Sequence, residues 1–238
     1  MKISFFEEFP SKNNLNKLKL IKFPTTIYIA AKSFKDFEKI KKKIRARAVY
    51  WPILSKKEGY WISPFSDYVG LKRIFSEIPK NQEVMLDLEP PFNRWLVLKG
   101  IFTFSRNKKI IQAFINSHKV ILCENFLPSS FLKLAGLSYV RNAIISEHPK
   151  NLRGFFDRGK KIKMAYTSMN PLLNIKKIRA DKIGIGCIAK GIYGNEKILS
   201  PEELERDLKI LQKSGKEVVI FRLGGLNKEY VRIIEKVL

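Results

Sequence analysis

What most constrains this chain is an end-to-end alternation of short apolar runs with amphipathic stretches. Eight runs read as strands: residues 3–9, 26–31, 48–54, 83–89, 119–126, 161–169, 182–190 and 217–223. Several, such as VVIF and KVILC, are apolar without interruption. A strand of that kind is covered on both faces, the habit of a parallel sheet flanked by helices. Helical spacing lies between the runs. Residues 13–21 form a short stretch, residues 34–44 carry Phe34, Phe37, Ile40 and Ile44, and residues 66–78 carry Val69, Leu71, Ile74, Phe75 and Ile78. The sharpest helix start is Ser200-Pro201-Glu202-Glu203, with a capping Ser, a Pro at the first helical position and a Glu placed for a capping box. Leu204, Leu208 and Leu211 mark its face and Gly215 its stop; a last helix spans residues 227–238.

Eight strand–helix units in 238 residues predict one α/β domain over residues 1–238, a (β/α)8 barrel of the TIM type in preference to an open doubly wound sheet. A ninth run, residues 139–146, reads as a helix or as a barrel strand, which leaves the strand order beyond residue 126 open.

Charge and cysteine narrow the chemistry. The net charge of +24 comes from 46 Lys and Arg against 22 Asp and Glu. Such an excess attracts polyanions, so nucleic acid enters as a partner class. The basic residues are spread along the chain, however, and Lys, Ile, Asn and Phe are abundant together. That pattern fits an AT-rich genome, suits a thermophile, and argues against a dedicated nucleic-acid binder. Cys123 and Cys187 sit far apart inside strand-like runs, and the histidines are His118 and His148. A Cys/His zinc site is excluded by this inventory, and small buried cysteines are favoured over a Cys–His nucleophile. Any metal would be a hard ion, Mg²⁺ or Ca²⁺, held by carboxylates. No apolar run approaches the ~20 residues that span a bilayer. Glu7, Glu8 and Pro10 interrupt the apolar start where a signal peptide needs continuity, so a cytoplasmic protein is expected.

In a barrel, chemistry belongs at the C-terminal ends of the strands. Those ends carry Glu7-Glu8, Asp87-Leu88-Glu89, Glu124 and Arg222. A bare charge at a half-buried strand end is costly, so acids there point to acid/base work, a hard metal or a polyol ligand. Strand alternation puts Asp87 and Glu89 on one face and Val84, Leu86 and Leu88 on the other. With the apolar set toward the helices, both acids face the barrel mouth, where each raises the other's pKa. The loop after the third strand, residues 55–65, holds Glu58, Tyr60 and Trp61, with Trp51 just before it. These aromatics are candidate platforms for sugar rings. Arg222 with Gly224 and Gly225, ahead of the last helix, has the form of a phosphate site.

The D-x-E end of the fourth strand, followed by Pro90, resembles the chitinase-type glycoside hydrolases. The late M-x-Y of Met164 and Tyr166 strengthens the likeness. The resemblance implies a (β/α)8 barrel in which Glu89 is the general acid, Asp87 steers the substrate and Tyr166 contacts the reacting sugar. Thr167 stands where the family has Asp, and the longer acidic run before Asp87 is missing.

The reading is therefore a carbohydrate-active hydrolase: Glu89 as acid, Asp87 and Tyr166 as its partners, Glu124 or Glu8 as a second carboxylate. Trp51, Glu58, Tyr60 and Trp61 would bind substrate. The first alternative is a sugar-phosphate or phosphodiester enzyme, with phosphate on Arg222, Gly224 and Gly225 and Mg²⁺ or Ca²⁺ on Glu8, Asp87, Glu89 or Glu124. Further alternatives are a Schiff-base aldolase through Lys163 and a non-catalytic barrel that binds a polyanion.

Overall fold

Period-two alternation of side chains builds the centre of the molecule. In a computed structural model, which describes residues 1–91, 94–125, 159–168 and 174–238, eight strands pair in sequence order and close on themselves, every pair parallel. They are β1 (Ile3–Glu7), β2 (Thr26–Ala31), β3 (Arg47–Pro52), β4 (Glu83–Asp87), β5 (Lys119–Asn125), β6 (Lys160–Met164), β7 (Lys182–Gly186) and β8 (Glu217–Phe221). All eight expected strands are present. Most end a few residues early, because buried apolar residues such as Ile53 and Leu54 continue past the ladder into the loops. The ninth run, residues 139–146, lies outside the described residues, and the barrel closes without it through direct pairing of β5 with β6.

Alternation sorts the strands into two cores. Outward residues, among them Phe5, Ile27, Ile29, Tyr50, Val84, Leu86, Leu122, Ile183 and Ile220, pack under the helices. Inward residues, among them Phe6, Tyr28, Trp51, Met85, Ile121, Cys123, Ile162, Met164 and Val219, fill the barrel. Truncating one of the buried aromatics would cost about 3–5 kcal/mol, so this sorting fixes strand register.

Among the described residues the helices are α1 (Lys12–Asn16), α2 (Phe34–Lys41), α3 (Tyr68–Ser76), α4 (Arg94–Ser117), α5 (Pro201–Gln212) and α6 (Lys228–Val237). Side chains cap five of them: Ser11, Ser33, Asp67, Ser200 and Asn227. The capping box on α5 is complete, with Glu203 N donating to Ser200 Oγ at 3.2 Å and Ser200 N to Glu203 Oε2 at 2.9 Å. Helix α4, 24 residues long, was not expected from spacing. Its apolar residues are not confined to a buried stripe: Ile111, Phe114 and Ile115 are buried, while Trp95, Leu98 and Phe102 are exposed.

The N-terminal end of the barrel is plugged by matched polar groups. Lys182 Nζ donates to Glu217 Oε1 at 2.7 Å and to Tyr28 Oη at 2.9 Å. Ser4 Oγ donates to the same Glu217 oxygen at 3.0 Å. Among the described residues, no helix is long and apolar enough to cross a membrane.

Candidate functional site

The C-terminal end of the barrel holds a cavity of about 60 Å³, floored by Phe6 and Phe221 and walled by Trp51, Trp61, Tyr166 and Tyr193. Four carboxylates, Glu8, Asp87, Glu89 and Glu196, face it.

Adjacent residues Glu7 and Glu8 part ways at the end of β1. Glu7 is fully buried and takes donors from three segments. Phe9 N reaches it at 2.8 Å, Asn14 Nδ2 at 3.1 Å, Gly224 N at 2.7 Å and Arg222 Nη1 at 3.2 Å. Burial raises its pKa, while Arg222 and the hydrogen bonds pull the other way. This corrects the expected phosphate site. The donors of Arg222 and the Gly224 amide exist, but the anion they hold is the chain's own Glu7. Arg222 is further fixed by its Nε donating to Lys190 O at 2.8 Å. Gly225 is required by close packing, because a Cβ there would fall 1.9 Å from Ile188 O.

Glu8 turns inward and accepts from Tyr60 Oη at 2.8 Å. Burial pushes its pKa up to about 7, against the lowering effects of Tyr60 and Arg222. The negative Glu196 nearby adds to the rise. Tyr60 reaches Glu8 from the loop after β3, where Gly59 (φ +120°) and Tyr60 itself (φ +66°) make a left-handed turn. A Cβ at Gly59 would also strike Ser66, so only Gly suits that position.

Asp87 ends β4 and Glu89 follows two residues on. Leu88 N still donates to Cys123 O at 2.9 Å, so the strand-like alternation continues past the ladder. Leu88 packs on the outer core while Asp87 and Glu89 face the cavity, as the spacing predicts. Asp87 is 4% exposed. Its pKa is raised well above the usual carboxylate range by burial, then by the neighbouring charges of Glu89 and Glu8.

Tyr166 follows β6 and lines the cavity, its hydroxyl donating to Met164 Sδ at 3.0 Å. Trp51 and Trp61 are 2% and 3% exposed, so they are walls and not open platforms. Trp61 meets Tyr60 edge-on at 5.4 Å and Tyr193 at 5.6 Å. Thr167, in the place of the family's Asp, bonds Asp207 of α5 and so ties the strand end to the outer layer.

Three expected residues lie elsewhere. Glu124 neighbours the inward Cys123 and therefore points out of the barrel, where it pairs with Lys161 at 3.4 Å. Lys163, opposite Glu124 in register and between inward Ile162 and Met164, faces outward too, which removes the Schiff-base reading. Glu58 is structural: Arg73 Nη2 donates to it at 3.1 Å and Ser55 N at 2.9 Å, which folds the loop after β3.

Glu196 was missed. It lies ten residues beyond β7, whereas spacing arguments reach only the strand end itself. Its Oε1 accepts from Tyr193 N at 3.1 Å. Gly191 lets it approach Glu8: a Cβ there would lie 2.9 Å from both Glu196 Oε1 and Glu8 Oε2. Cys187 lines the cavity, but burial lifts its thiol to about 12, and Cys123 also shifts upward, so neither is a ready thiolate. Among the described residues, no three His, Cys, Asp or Glu side chains are grouped to hold a metal ion. A second cavity lies outside the barrel between α5 and α6, lined by solvated charges such as Glu205 and Lys236. No protein-family model matches the chain, and a search of curated proteins finds no relative.

Proposed function

We propose that this chain is a TIM-type (β/α)8 barrel enzyme that hydrolyses a glycosidic bond or carries out a related carbohydrate reaction. The observation that carries the reading is the pair Asp87 and Glu89, both less than a tenth exposed, facing an aromatic-walled cavity at the C-terminal barrel end. Burial beside a like charge keeps a proton on such a pair near neutral pH. A carboxyl that retains its proton there is what a general acid needs. Glu89 delivers that proton to the leaving oxygen. Asp87 orients the substrate and stabilises the positive charge that develops on the sugar. Tyr166, which lines the same cavity, positions the ring. Of the two candidates for the second carboxylate, Glu8 takes the role, because Glu8 faces the cavity and Glu124 does not. With Tyr60 donating to it, Glu8 is the second carboxylate available to a two-acid mechanism.

Tyr193, in the loop beside Glu196, is 53% exposed at the rim of the cavity. The phosphate alternative is weaker, because Glu7 occupies its donors. A panel of glycosides, assayed with wild type and Glu89→Gln, tests the proposal. Turnover is expected on at least one glycoside, with a ~10²–10⁴-fold loss in the variant, the usual range for a general acid. Full activity of Glu89→Gln on that substrate would overturn it.

A further inference from the structure

Four polar atoms of the cavity wall have no hydrogen-bond partner among the described residues: Glu8 Oε2, Asp87 Oδ1, Glu196 Oε2 and Trp51 Nε1. Each belongs to a side chain less than a tenth exposed. Buried polar groups left unpaired are costly, and four around one small space define the complement that would satisfy them. The complement has a donor-rich, positively charged part facing three carboxylates and one acceptor facing an indole N–H.

We propose that the cavity takes the ammonium group of an amino alcohol, which in the carbohydrate reading is an amino sugar with an unacetylated nitrogen. An ammonium brings donors to these unpartnered carboxyl oxygens, with Glu8 and Glu196 side by side at Gly191, and its charge draws Glu8 and Asp87 into the ionised form, their protons leaving to solvent. The aromatic rings of Trp51, Trp61 and Tyr193 line the same cavity, and a desolvated cation is attracted to aromatic neighbours. A neighbouring hydroxyl accepts from Trp51 Nε1. The cavity of about 60 Å³ suits a group of that size. Arg222, the cation whose field reaches Glu8, is bound to Glu7 and Lys190 O and leaves the acids to the ligand. The ammonium site stands on these contacts; only its assignment to a sugar rests on the carbohydrate reading.

Ligand-observed NMR titration of the whole protein at pH 7 with glucosamine, N-acetylglucosamine, glucose and ethanolamine tests both parts. Glucosamine is expected to bind at least tenfold more tightly than N-acetylglucosamine or glucose, with ethanolamine also binding. The preference for glucosamine over glucose should shrink with added salt and in Glu196→Gln. If that variant fails to fold, the wild-type series decides alone. Equal affinity for glucose and glucosamine overturns the ammonium site and leaves the carbohydrate reading intact. Ethanolamine binding without binding of any sugar keeps the ammonium site and counts against the carbohydrate reading. Absence of binding by all four overturns the proposal.

Discussion

The two ends of the barrel bury polar groups in opposite ways. At the N-terminal end, Glu217 meets Lys182 and Ser4, and Lys182 also meets Tyr28, so charge and hydrogen bonds are matched. At the C-terminal end, Glu8, Asp87, Glu89 and Glu196 converge while the nearby cation, Arg222, is held by Glu7. A matched plug costs little and fixes register. An unmatched acidic cluster works against folding and persists in natural proteins mainly where it serves a ligand or a reaction. The same barrel thus separates a matched, stabilising end from an unmatched one, which is the working end in the proposed function.

The largest expected effect falls on the working end and is a rate. Glu89→Gln should lower turnover ~10²–10⁴-fold while leaving thermal stability equal or slightly higher, because a crowded pair loses one repulsion. Paired activity and melting measurements check this. A variant that lost stability in proportion to activity would make Glu89 a structural residue and erase the contrast between the ends.

Arg222→Ala comes next and tests the boundary between them. Glu7 is fully buried, and removing its cation leaves an uncompensated charge, which typically costs ~3–5 kcal/mol. Denaturant unfolding should register that loss. Lys182→Met does the same to Glu217 at the plug, but Glu217 is 21% exposed, so the cost should be smaller, ~2–3 kcal/mol. If Arg222→Ala cost less than Lys182→Met, the Glu7 network would not be the structural core of the upper end.

Much of this division was legible in the sequence, because period-two alternation is physical. It placed Val84 and Leu86 under the helices and Asp87 and Glu89 in the cavity from spacing alone. The same rule, applied to Lys119–Asn125, turns Glu124 outward as soon as Cys123 is put inside; the strand-end position of Glu124 had outweighed it. Arg222 and Gly224 were read as a phosphate site, yet the partner they meet is Glu7, more than 200 residues away, and no local pattern names a partner across that distance. Glu196 was invisible for a related reason. A loop between β7 and α5 has no period, and only the fold brings it back over Glu8.

The pH dependence of stability sharpens the comparison further. Glu8 titrates at about 7 in the folded protein and at 4.5 when unperturbed. A raised carboxyl pKa contributes stability fully below the unfolded value and loses it as pH rises through the folded one. Stability should therefore fall between about pH 4.5 and pH 7, by on the order of 3 kcal/mol from Glu8. Asp87 and Glu7 shift in the same direction and add to the slope. Glu8→Gln should flatten the decline and be more stable than wild type at pH 8, with the difference vanishing at pH 4. A variant less stable than wild type at pH 8 would mean that Glu8 is ionised and satisfied in the fold.

The smallest expected effect belongs to the acid on the other side of the same wall. Glu124 stands at the end of β5, close in sequence to the inward Cys123, but its partner is Lys161 and its side chain is 13% exposed outside the barrel. Glu124→Gln should therefore cost no more than Lys182→Met does at the similarly sheltered plug, ~2–3 kcal/mol, and change turnover less than about twofold, since no charge in the cavity is altered. Glu8→Gln, measured beside it, should change turnover at least tenfold if Glu8 is the second carboxylate. The two substitutions are chemically identical and both fall at strand ends, so the strand-end position alone predicts equal effects. Only the direction of the side chain distinguishes them. Equal losses of turnover would show that Glu124 reaches the reaction after all, and the separation of inner from outer acids would have to be abandoned.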